Sequence, residues 1–329
     1  MKKILVTGGA GYIGSFMVRE LLEKGFEPVI LDNLSMGHKE AVKDFRLEQI
    51  DLVTEKDKLE KLLSGERFDG VVHMASFIQM GESYKDPAKY YRNNVEGFIN
   101  LLSAMKDNKI NNIILSSSAG VYGNPVRVPV LEDDIKNPLN PYGETKYIME
   151  RMLEDYDTAY GIKFTAIRYF NAAGAALDGT IGEDHPEESH LIPNVIKSVL
   201  SGHEFTLFGD DYDTPDGTCI RDYIHVLDLT EAHSLALEAL MNGGKSVFYN
   251  AGMGRGYSNR EVIDMVEKVT GSKVNIKVIP KRDGDAGALY ASNEKMKEGM
   301  NWKPKYDLQK IVETAYLWHK NNPQGYLDR

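Results

Sequence analysis

The sequence predicts an α/β protein: a Rossmann-type, doubly wound parallel sheet with a smaller, mixed α/β lobe towards the C-terminus. Two observations predict this class. Apolar runs of strand length alternate with helix-like stretches through the first half of the chain, which is the rhythm of a parallel sheet covered on both faces. The first apolar run, at residues 4–6, also leads directly into the segment TGGAGYIG at 7–14, and a helix-like stretch follows at 16–23.

The glycine-rich segment predicts the turn of a dinucleotide-binding unit. Gly8, Gly11 and Gly14 let the backbone turn sharply, let a pyrophosphate approach the N–H groups, and let the helix lie close to the strand. The positive end of that helix favours an anion. A second apolar run, at 28–31, ends in Asp32, where this fold places the acid that holds an adenosine ribose. Asp32 has no neighbouring arginine and would repel a 2′-phosphate, so the predicted cofactor is NAD, not NADP.

The remaining elements follow the same alternation. A helix at 88–105 carries an apolar stripe on one face, which we interpret as core or as a subunit contact. We divide the chain into a dinucleotide-binding domain at 1–171, to which some later segments return, and a second lobe at 172–329. Ser258 is a predicted N-cap and Gly271 a predicted C-cap. The other predicted strands are 45–50, 70–74, 112–115, 163–168, 205–208, 247–250 and 275–279, and the other helices are 56–63, 142–160, 191–200, 227–241, 260–270 and 308–321, with a loop at 172–189.

Length, charge and cysteine content limit the number of domains, the kinds of binding partner and the cellular compartment that we expect. The 329 residues suffice for two domains, and the formal net charge of −10 comes with scattered Lys and Arg, so we expect no binding to nucleic acid or to an anionic membrane. A single cysteine, Cys219, excludes an internal disulfide and fits a cytoplasmic protein. No stretch approaches the ~20 apolar residues of a membrane span.

Tyr142 and Lys146 are candidate catalytic residues. They are four apart at the start of a predicted helix and share one face. A cation near a phenol lowers the phenol pKa from ~10 towards the range of a general base. The same spacing recurs at 306/310 and 316/320, which we interpret as helix surface. The first pair is distinguished by its place after the strand that ends in serines 116–118, where Ser118 can hydrogen-bond the same substrate oxygen.

Five motifs together carry a resemblance to a known family. They are TGGAGYIG at 7–14 with the acid at Asp32, SSSAGVYG at 116–123, NPYGETK at 140–146, RYFNAAG at 168–174 and FGDDYDTPDGTCIRDYIHV at 208–226. The chain resembles the extended short-chain dehydrogenase/reductase superfamily and, within it, the UDP-glucose 4-epimerase family, almost from end to end. The resemblance implies interconversion of UDP-glucose and UDP-galactose by reversible oxidation at C4 with tightly bound NAD, which is regenerated in each cycle.

The resemblance also assigns roles by position. Tyr142 would remove the C4 hydroxyl proton, Lys146 would hold the nicotinamide ribose and tune Tyr142, and Ser118 would steer the proton. The implied cofactor contacts are Gly8, Gly11, Tyr12, Ile13, Gly14, Asp32, Asn33, Asp51, Leu52, Ala75, Asn94, Ser116, Tyr142, Lys146 and Phe170. The implied contacts to the UDP-hexose, bound mainly by the second lobe, are Ser118, Tyr142, Asn171, Leu191, Phe208, Arg221, Arg282 and Asp285; the arginines suit a diphosphate. Relatives are commonly dimers, so a homodimer is expected.

Departures from the family pattern leave the sugar open. Phe16, Ile78 and Gly120 replace residues that are common in the family, and Leu289 occupies the position whose bulk decides whether an N-acetylated sugar fits. Epimerases of UDP-GlcNAc or UDP-glucuronate are therefore alternatives. A nucleotide-sugar dehydratase would need acidic residues directly after the active-site serine to eject a hydroxyl group, but Ala119 and Gly120 follow Ser118 here. A catalytically inactive NAD-binding sensor would have no need of Ser118, Tyr142 and Lys146 together. A simple dehydrogenase would release NADH in each cycle.

A stretch rich in histidine and glutamate lies at 182–190. Its sequence, GEDHPEESH, contains His185 and His190, but the spacing matches no zinc pattern and no cysteine is near. We interpret it as a solvated loop and predict no metal. His225 lies in an apolar run and is predicted to be structural.

Overall fold

The computed structural model describes residues 1–281 and 286–327. The strands outnumber the helices, but most of those beyond the central sheet are short. In chain order the strands are β1 (Lys3–Thr7), β2 (Glu27–Asp32), β3 (Leu47–Gln49), β4 (Gly70–His73), β5 (Asn112–Ser116), β6 (Lys163–Tyr169), β7 (Asn171–Ala173), β8 (Phe205–Phe208), β9 (Ile220–Arg221), β10 (Tyr223–His225), β11 (Val247–Ala251), β12 (Tyr257–Ser258), β13 (Ile276–Ile279) and β14 (Ala288–Leu289).

Helices occupy the connections between these strands. Most agree with the predicted helices to within one or two residues. In chain order they are α1 (Tyr12–Glu23), α2 (Lys56–Gly65), α3 (Met80–Lys85), α4 (Pro87–Tyr90), α5 (Gly97–Asp107), α6 (Pro141–Tyr160), α7 (Leu191–Ser201), α8 (Val226–Met241), α9 (Asn259–Thr270), α10 (Glu294–Met300) and α11 (Leu308–Asn321).

Seven of the strands form one parallel sheet in the order β11-β6-β5-β4-β1-β2-β3. The chain starts in the middle, moves outwards through β2 and β3, and then returns to the other side of β1 with β4. The point where the order reverses lies between β1 and β4, and ligands of such sheets bind outside the carboxyl ends of the strands at that point. The predicted fold class is confirmed, and it places the candidate site at this edge.

The sheet is covered by helices on both faces. Successive side chains of a strand point to opposite faces, and in β1 all three apolar residues are fully buried, Ile4 and Val6 in one apolar cluster and Leu5 in the other. The first cluster includes residues of α1 and α8, and the second includes residues of α5 and α6. An uninterrupted apolar strand is therefore required, because neither face meets water.

The later part of the chain contributes both to this sheet and to a separate packed unit. Strand β11 pairs with β6, and α8 packs on α1, where the Ser234 hydroxyl donates a 2.7 Å hydrogen bond to Glu20. Helices α7, α9 and α11 share a third apolar cluster with strand β8. In α9 the predicted caps are confirmed, since Ser258 forms a capping box with Glu261 and Gly271 is left-handed at the C-cap.

The predicted helix at 88–105 differs from the structure. It is divided into α4 and α5 by a π-helical turn at Tyr91–Glu96. Of the four stripe residues, Phe98, Leu102 and Met105 are fully buried inside the chain and Val95 is half-buried. The core interpretation is confirmed and a subunit contact through these three side chains is wrong, because the sheet already covers them. Within the described residues, no helix combines the length and apolar character that a membrane crossing demands.

Candidate active site

The glycine-rich turn joins β1 to α1 at the edge where the sheet reverses. Gly8 has a φ of +70°, and a Cβ atom there would lie 2.5 Å from the backbone nitrogen of Ala75. A Cβ atom on Gly14 would lie 2.1 Å from the carbonyl oxygen of Gly8. Helix α1 begins at Tyr12 rather than at residue 16, and its N-cap, Gly11, has no side chain that caps the first turn. The turn therefore presents an uncapped helix N-terminus, as a pyrophosphate site requires.

A groove runs from this turn along the ends of β2, β3 and β4. Asp32, at the end of β2, is buried, and its two carboxylate oxygens accept hydrogen bonds from the backbone N–H groups of Ala10 (2.9 Å) and Leu34 (2.8 Å). Burial raises the pKa of Asp32. Each oxygen keeps a further lone pair for a ribose hydroxyl. The residues present fit NAD, and the groove is lined by Gly8, Gly11, Leu31, Asp32, Asn33, Ser35, Met36, Gly37, Ile50, Leu52, Met74, Ala75, Ser76, Phe77 and Asn93.

Two predicted cofactor residues hold the loops that line the groove. Asp51 accepts hydrogen bonds from the Asn33 amide at 2.7 Å and from the backbone of Val53 at 2.9 Å. Asn94, in the π-helical turn, accepts from the Phe77 backbone N–H at 2.9 Å and donates to the Phe77 carbonyl at 3.1 Å. These bonds position the backbone; direct contact of Asp51 and Asn94 with NAD stays a prediction.

Tyr12, Ile13 and Phe170, which are also predicted cofactor contacts, lie around the same edge. The Tyr12 hydroxyl donates a 2.6 Å hydrogen bond to the carbonyl oxygen of Gly174, so the first turn of α1 is tied to the segment after β7. Phe170 packs in an apolar cluster with Ala119, directly after the serine motif. This cluster brings the end of β6 next to the end of β5.

The three predicted catalytic residues are brought together by β5 and α6. Asn140 caps α6 by accepting a 2.8 Å hydrogen bond from the Gly143 N–H, which places Tyr142 in the first turn and Lys146 one turn later. The Tyr142 phenol is hydrogen-bonded to Ser118. Lys146 donates to Ser76 at 2.8 Å and to the Ser116 carbonyl at 2.9 Å. The exposed fractions of Ser118, Tyr142 and Lys146 are only 9%, 7% and 2%, so the cluster is shielded from water.

The protonation of this cluster is set by burial. Burial lowers the pKa of Lys146 to about 7. Burial also raises the pKa of Tyr142 above its ordinary value, electrostatic repulsion from Tyr169 adds to this rise, and the hydrogen bond from Ser118 opposes it. The expectation that Lys146 lowers the pKa of Tyr142 is therefore wrong for the protein alone. The lysine nitrogen lies 6.0 Å from the centre of the phenol ring, and desolvation is the largest influence on the pKa of each group.

Two residues outside the predicted set of site residues complete the cluster. Ser76 binds Lys146, and Tyr169 lies 3.2 Å from the Ser116 hydroxyl, which donates to it. Ser76 follows β4 and Tyr169 ends β6. Both occupy the position that made serines 116–118 candidates, so the same signal could have found them.

Ser117 is structural. Its hydroxyl donates a 2.6 Å hydrogen bond to Glu150 of α6. The same carboxylate receives two hydrogen bonds from Arg168 of β6, at 2.8 and 2.7 Å, and both side chains of this ion pair are at most 2% exposed. The pair joins α6 to β6 next to Ser117, one residue before Ser118.

The predicted substrate residues lie on the second lobe side of the edge. The Asn171 amide donates to the Asp222 carbonyl at 2.8 Å, and Arg221 donates to the carbonyl of Ala286 at 2.8 Å. Leu289 pairs with Arg221 in the β9–β14 ladder. Leu191 begins α7 and Phe208 ends β8, both half-buried, while Arg282 and Asp285 lie outside the described residues.

The histidine-rich segment at 182–190 is not a solvated loop. The loop predicted at 172–189 begins within strand β7, and Glu183 and Asp184 are buried. The backbone carbonyl of Glu183 accepts from the Trp318 indole N–H at 3.0 Å, and such long-range contacts explain the burial. His225 is structural as predicted, since it is fully buried and its Nδ1 accepts from the Leu227 N–H at 3.1 Å.

The fold and this site define a nucleotide-binding α/β protein of the short-chain dehydrogenase/reductase type. The chain belongs to the NAD dependent epimerase/dehydratase family, whose model matches residues 4–252. A UDP-glucose 4-epimerase of Lactobacillus helveticus is 47% identical over 329 residues, which cover 99% of this chain and 100% of the relative.

Solved structures of two relatives superpose closely. The UDP-glucose 4-epimerase of Brucella ovis in complex with NAD has a TM-score of 0.93 and 44% identity, covering 96% of this chain and 98% of that one. The UDP-glucose 4-epimerase of Bifidobacterium longum in complex with NAD+ and UDP has a TM-score of 0.94 and 34% identity, covering 99% and 100%.

Proposed function

We propose that this protein interconverts UDP-glucose and UDP-galactose by reversible oxidation and reduction at C4, with tightly bound NAD. One observation carries the proposal: Ser118, Tyr142 and Lys146 meet at the carboxyl edge of a dinucleotide-binding sheet. The full-length similarity to proteins named UDP-glucose 4-epimerase supports it.

In this proposal Tyr142 is the general base. Its phenol oxygen takes the proton from the C4 hydroxyl and later returns it, while Ser118 holds the sugar oxygen in line. Bound NAD would supply a reversible hydride acceptor for C4 and, in its oxidised form, a positive charge near Tyr142. Tyr142 needs a positive charge beside it, because burial alone keeps its proton on at neutral pH.

Lys146 positions the reacting groups. Its ammonium is held by Ser76 and the Ser116 carbonyl, and we propose that the nicotinamide ribose joins these acceptors. Because its pKa is about 7, the amine gains or loses its proton easily at working pH. The burial of Ser118, Tyr142 and Lys146 protects the keto sugar from water between the two hydride transfers.

The two parts of the chain are proposed to bind different ligands. We propose that residues 1–171, with the returning strand β11, bind NAD, and that residues 172–329 mainly bind the nucleotide sugar. Arg221 and Arg282 would contact the diphosphate, since a guanidinium donates two parallel hydrogen bonds to such a group. Asn171, Leu191, Phe208 and Asp285 complete the proposed substrate set.

We further propose a cytoplasmic homodimer that acts in galactose metabolism. The single cysteine, Cys219, is buried, which suits a reducing compartment. Two large side chains of α3 are available for a twofold contact, since Met80 and Tyr84 are 53% and 57% exposed. Light scattering of the purified chain tests the dimer.

The test of function uses the purified full chain without added cofactor. NAD released by denaturation is measured first, and UDP-galactose is then added while the anomeric proton signals are followed by NMR. We expect stoichiometric NAD and conversion to UDP-glucose. A protein that holds NAD but leaves UDP-galactose unchanged would remove the epimerase proposal. UDP-GlcNAc and UDP-glucuronate in parallel samples decide the sugar, and the modest size of Leu289 favours including UDP-GlcNAc.

A further inference from the structure

The segment between β7 and α7 gathers four side chains that the proposed reaction does not use. They are Glu183, His185, Glu188 and His190, and one nitrogen or oxygen ligand atom of each lies within 4.8 Å of all the others. The side chains of Glu183 and Glu188 are only 4% and 6% exposed, and that of His185 is 13% exposed. The side chain of His190 is 37% exposed, so two carboxylates and two imidazoles converge at a site that is open to water on the His190 side.

Among the described residues, one polar atom of the cluster has no hydrogen bond. His190 Nδ1 lies 2.5 Å from a Glu183 oxygen, and His185 Nδ1 lies 3.4 Å from the same oxygen. Glu188 Oε2 is buried and has no hydrogen-bond partner within residues 1–281 and 286–327. His185 Nδ1 at 3.6 Å and, from outside the cluster, the Lys197 ammonium at 3.8 Å form ion pairs with it beyond hydrogen-bond distance. This buried oxygen thus has charged neighbours but no hydrogen bond to either of them, and a metal ion coordinated by it would supply the missing contact.

We propose that Glu183, His185, Glu188 and His190 bind one divalent transition-metal ion, for which Zn2+ is the best match. Imidazole nitrogens and carboxylate oxygens are both zinc ligands, and four protein ligands form a closed, structural site. The imidazoles argue against Ca2+ and Mg2+, which prefer oxygen ligands alone. The ligand atoms would draw closer around the ion, and the ion would take the place of the protons that the histidines and glutamates now share.

The surroundings indicate a structural role. Besides the Trp318 bond to Glu183, the Asn194 amide of α7 donates to the Glu188 carbonyl at 3.2 Å, and Gln79 donates to the Glu187 carbonyl at 3.2 Å. The segment is thus packed between α11, α7 and the loop before α3. His190 directly precedes Leu191, the first residue of α7 and a proposed substrate contact. A bound ion would fix this junction and so stabilise the folded chain without taking part in hydride transfer.

The test measures metal, not turnover. The full chain is purified without a histidine tag, dialysed against a chelator, and titrated with ZnCl2 against a chromophoric competitor. We expect one Zn2+ per chain and a rise in melting temperature on loading. His190→Gln and Glu188→Gln are each expected to weaken Zn2+ binding by at least about 100-fold, since loss even of an outer partner costs 10–100-fold. His203→Gln is the matched control, because His203 is exposed and lies outside the cluster.

Two results would overturn the proposal: a wild-type chain that takes up no Zn2+, or a His190→Gln variant that binds it as tightly as the wild type does. Should the variants fail to fold, loading the wild type with CoCl2 gives an independent measurement. Strong visible absorption indicates a four-coordinate site with nitrogen ligands and supports the proposal, whereas the weak bands of six-coordinate Co2+ contradict it. Metal content and epimerase activity are separate readouts, so failure of one is distinguishable from failure of the other.

Discussion

The ammonium of Lys146 donates a 2.9 Å hydrogen bond to the carbonyl oxygen of Ser116, the last residue of β5. This bond joins α6 to the end of the strand that precedes Ser118. It also holds a cationic group where water is excluded, and burial lowers the pKa of Lys146 from 10.5 to about 7. Between pH 7 and pH 10.5 the unfolded chain therefore binds more protons at this residue than the folded chain does.

Lys146→Met is expected to change stability in a pH-dependent way. The cost of burying the lysine is complete below about pH 7, shrinks as the pH rises, and is absent above about pH 10.5. The quantity to follow is the free energy of unfolding of the variant minus that of the wild type. This difference should be larger at low pH than at high pH by up to about a few kcal/mol. Urea unfolding of NAD-free protein at several pH values measures this. Lys61→Met, at an exposed helix position, is the control. If the stability difference between Lys146→Met and the wild type did not change with pH, the lowered pKa of Lys146 would be contradicted.

Tyr142→Phe should abolish turnover and leave the cofactor bound. The ring keeps its packing, but the group that exchanges the proton is lost, and general acid–base groups contribute about 10²–10⁴-fold to rate. Turnover is followed by NMR and bound NAD by release on denaturation. Tyr160→Phe removes a hydroxyl from the other end of the same helix, where Tyr160 is 54% exposed, and should be silent. Equal rates for Tyr142→Phe and wild type would assign the base elsewhere.

Gly14→Ala should impair NAD binding. The added methyl group would lie 2.1 Å from the Gly8 carbonyl oxygen, so the turn has to move, and overpacking of this kind costs about 1–3 kcal/mol. We expect about a 10- to 100-fold weaker Kd for NAD, measured by calorimetry on stripped protein. Gly65→Ala is the matched control, since no atom lies within 4 Å of a Cβ there. Unchanged affinity in Gly14→Ala would mean that the turn does not contact the cofactor.

Glu150→Gln should destabilise the fold strongly. It leaves the Arg168 charge buried without its carboxylate, and breaking a buried pair costs about 3–5 kcal/mol. Replacing both residues by Met should recover much of the loss, because no charge remains to be desolvated. At the surface pair of Arg151 and Glu154, which lies 3.6 Å apart, Glu154→Gln should cost less than about 1 kcal/mol. Denaturant unfolding measures the free energy of unfolding of each variant. Similar losses at the buried and the surface pair would contradict this prediction.

The features that could be predicted from the sequence are those that short stretches of the chain determine. The turn at Gly8 to Gly14, the strands, and the gathering of Asp32, Ser118 and Tyr142 at one edge follow from apolar periodicity and the parallel-sheet rule. Even the caps of α9 follow from local hydrogen bonding. These features need no knowledge of distant partners.

The features that were missed depend on contacts between remote segments. The pKa of Lys146 depends on how completely the sheet and α6 exclude water, which no spacing of residues reveals. The burial of Glu183 depends on Trp318, which comes from the last helix. The π-helical turn around Asn94 is fixed by its bonds to Phe77 and Thr145 rather than by helix propensity. Each is a tertiary effect that overrides the local pattern.

Strand β11 has a consequence for synthesis of the chain. It pairs with β6, and α8 packs on α1, although β6 and α1 are translated well before β11 and α8. While the polypeptide is still growing, the edge of β6 stays open to pairing with other chains. Folding on the ribosome therefore cannot close the sheet until residue 251 has emerged, and a pause in translation before that point would leave an aggregation-prone nascent intermediate.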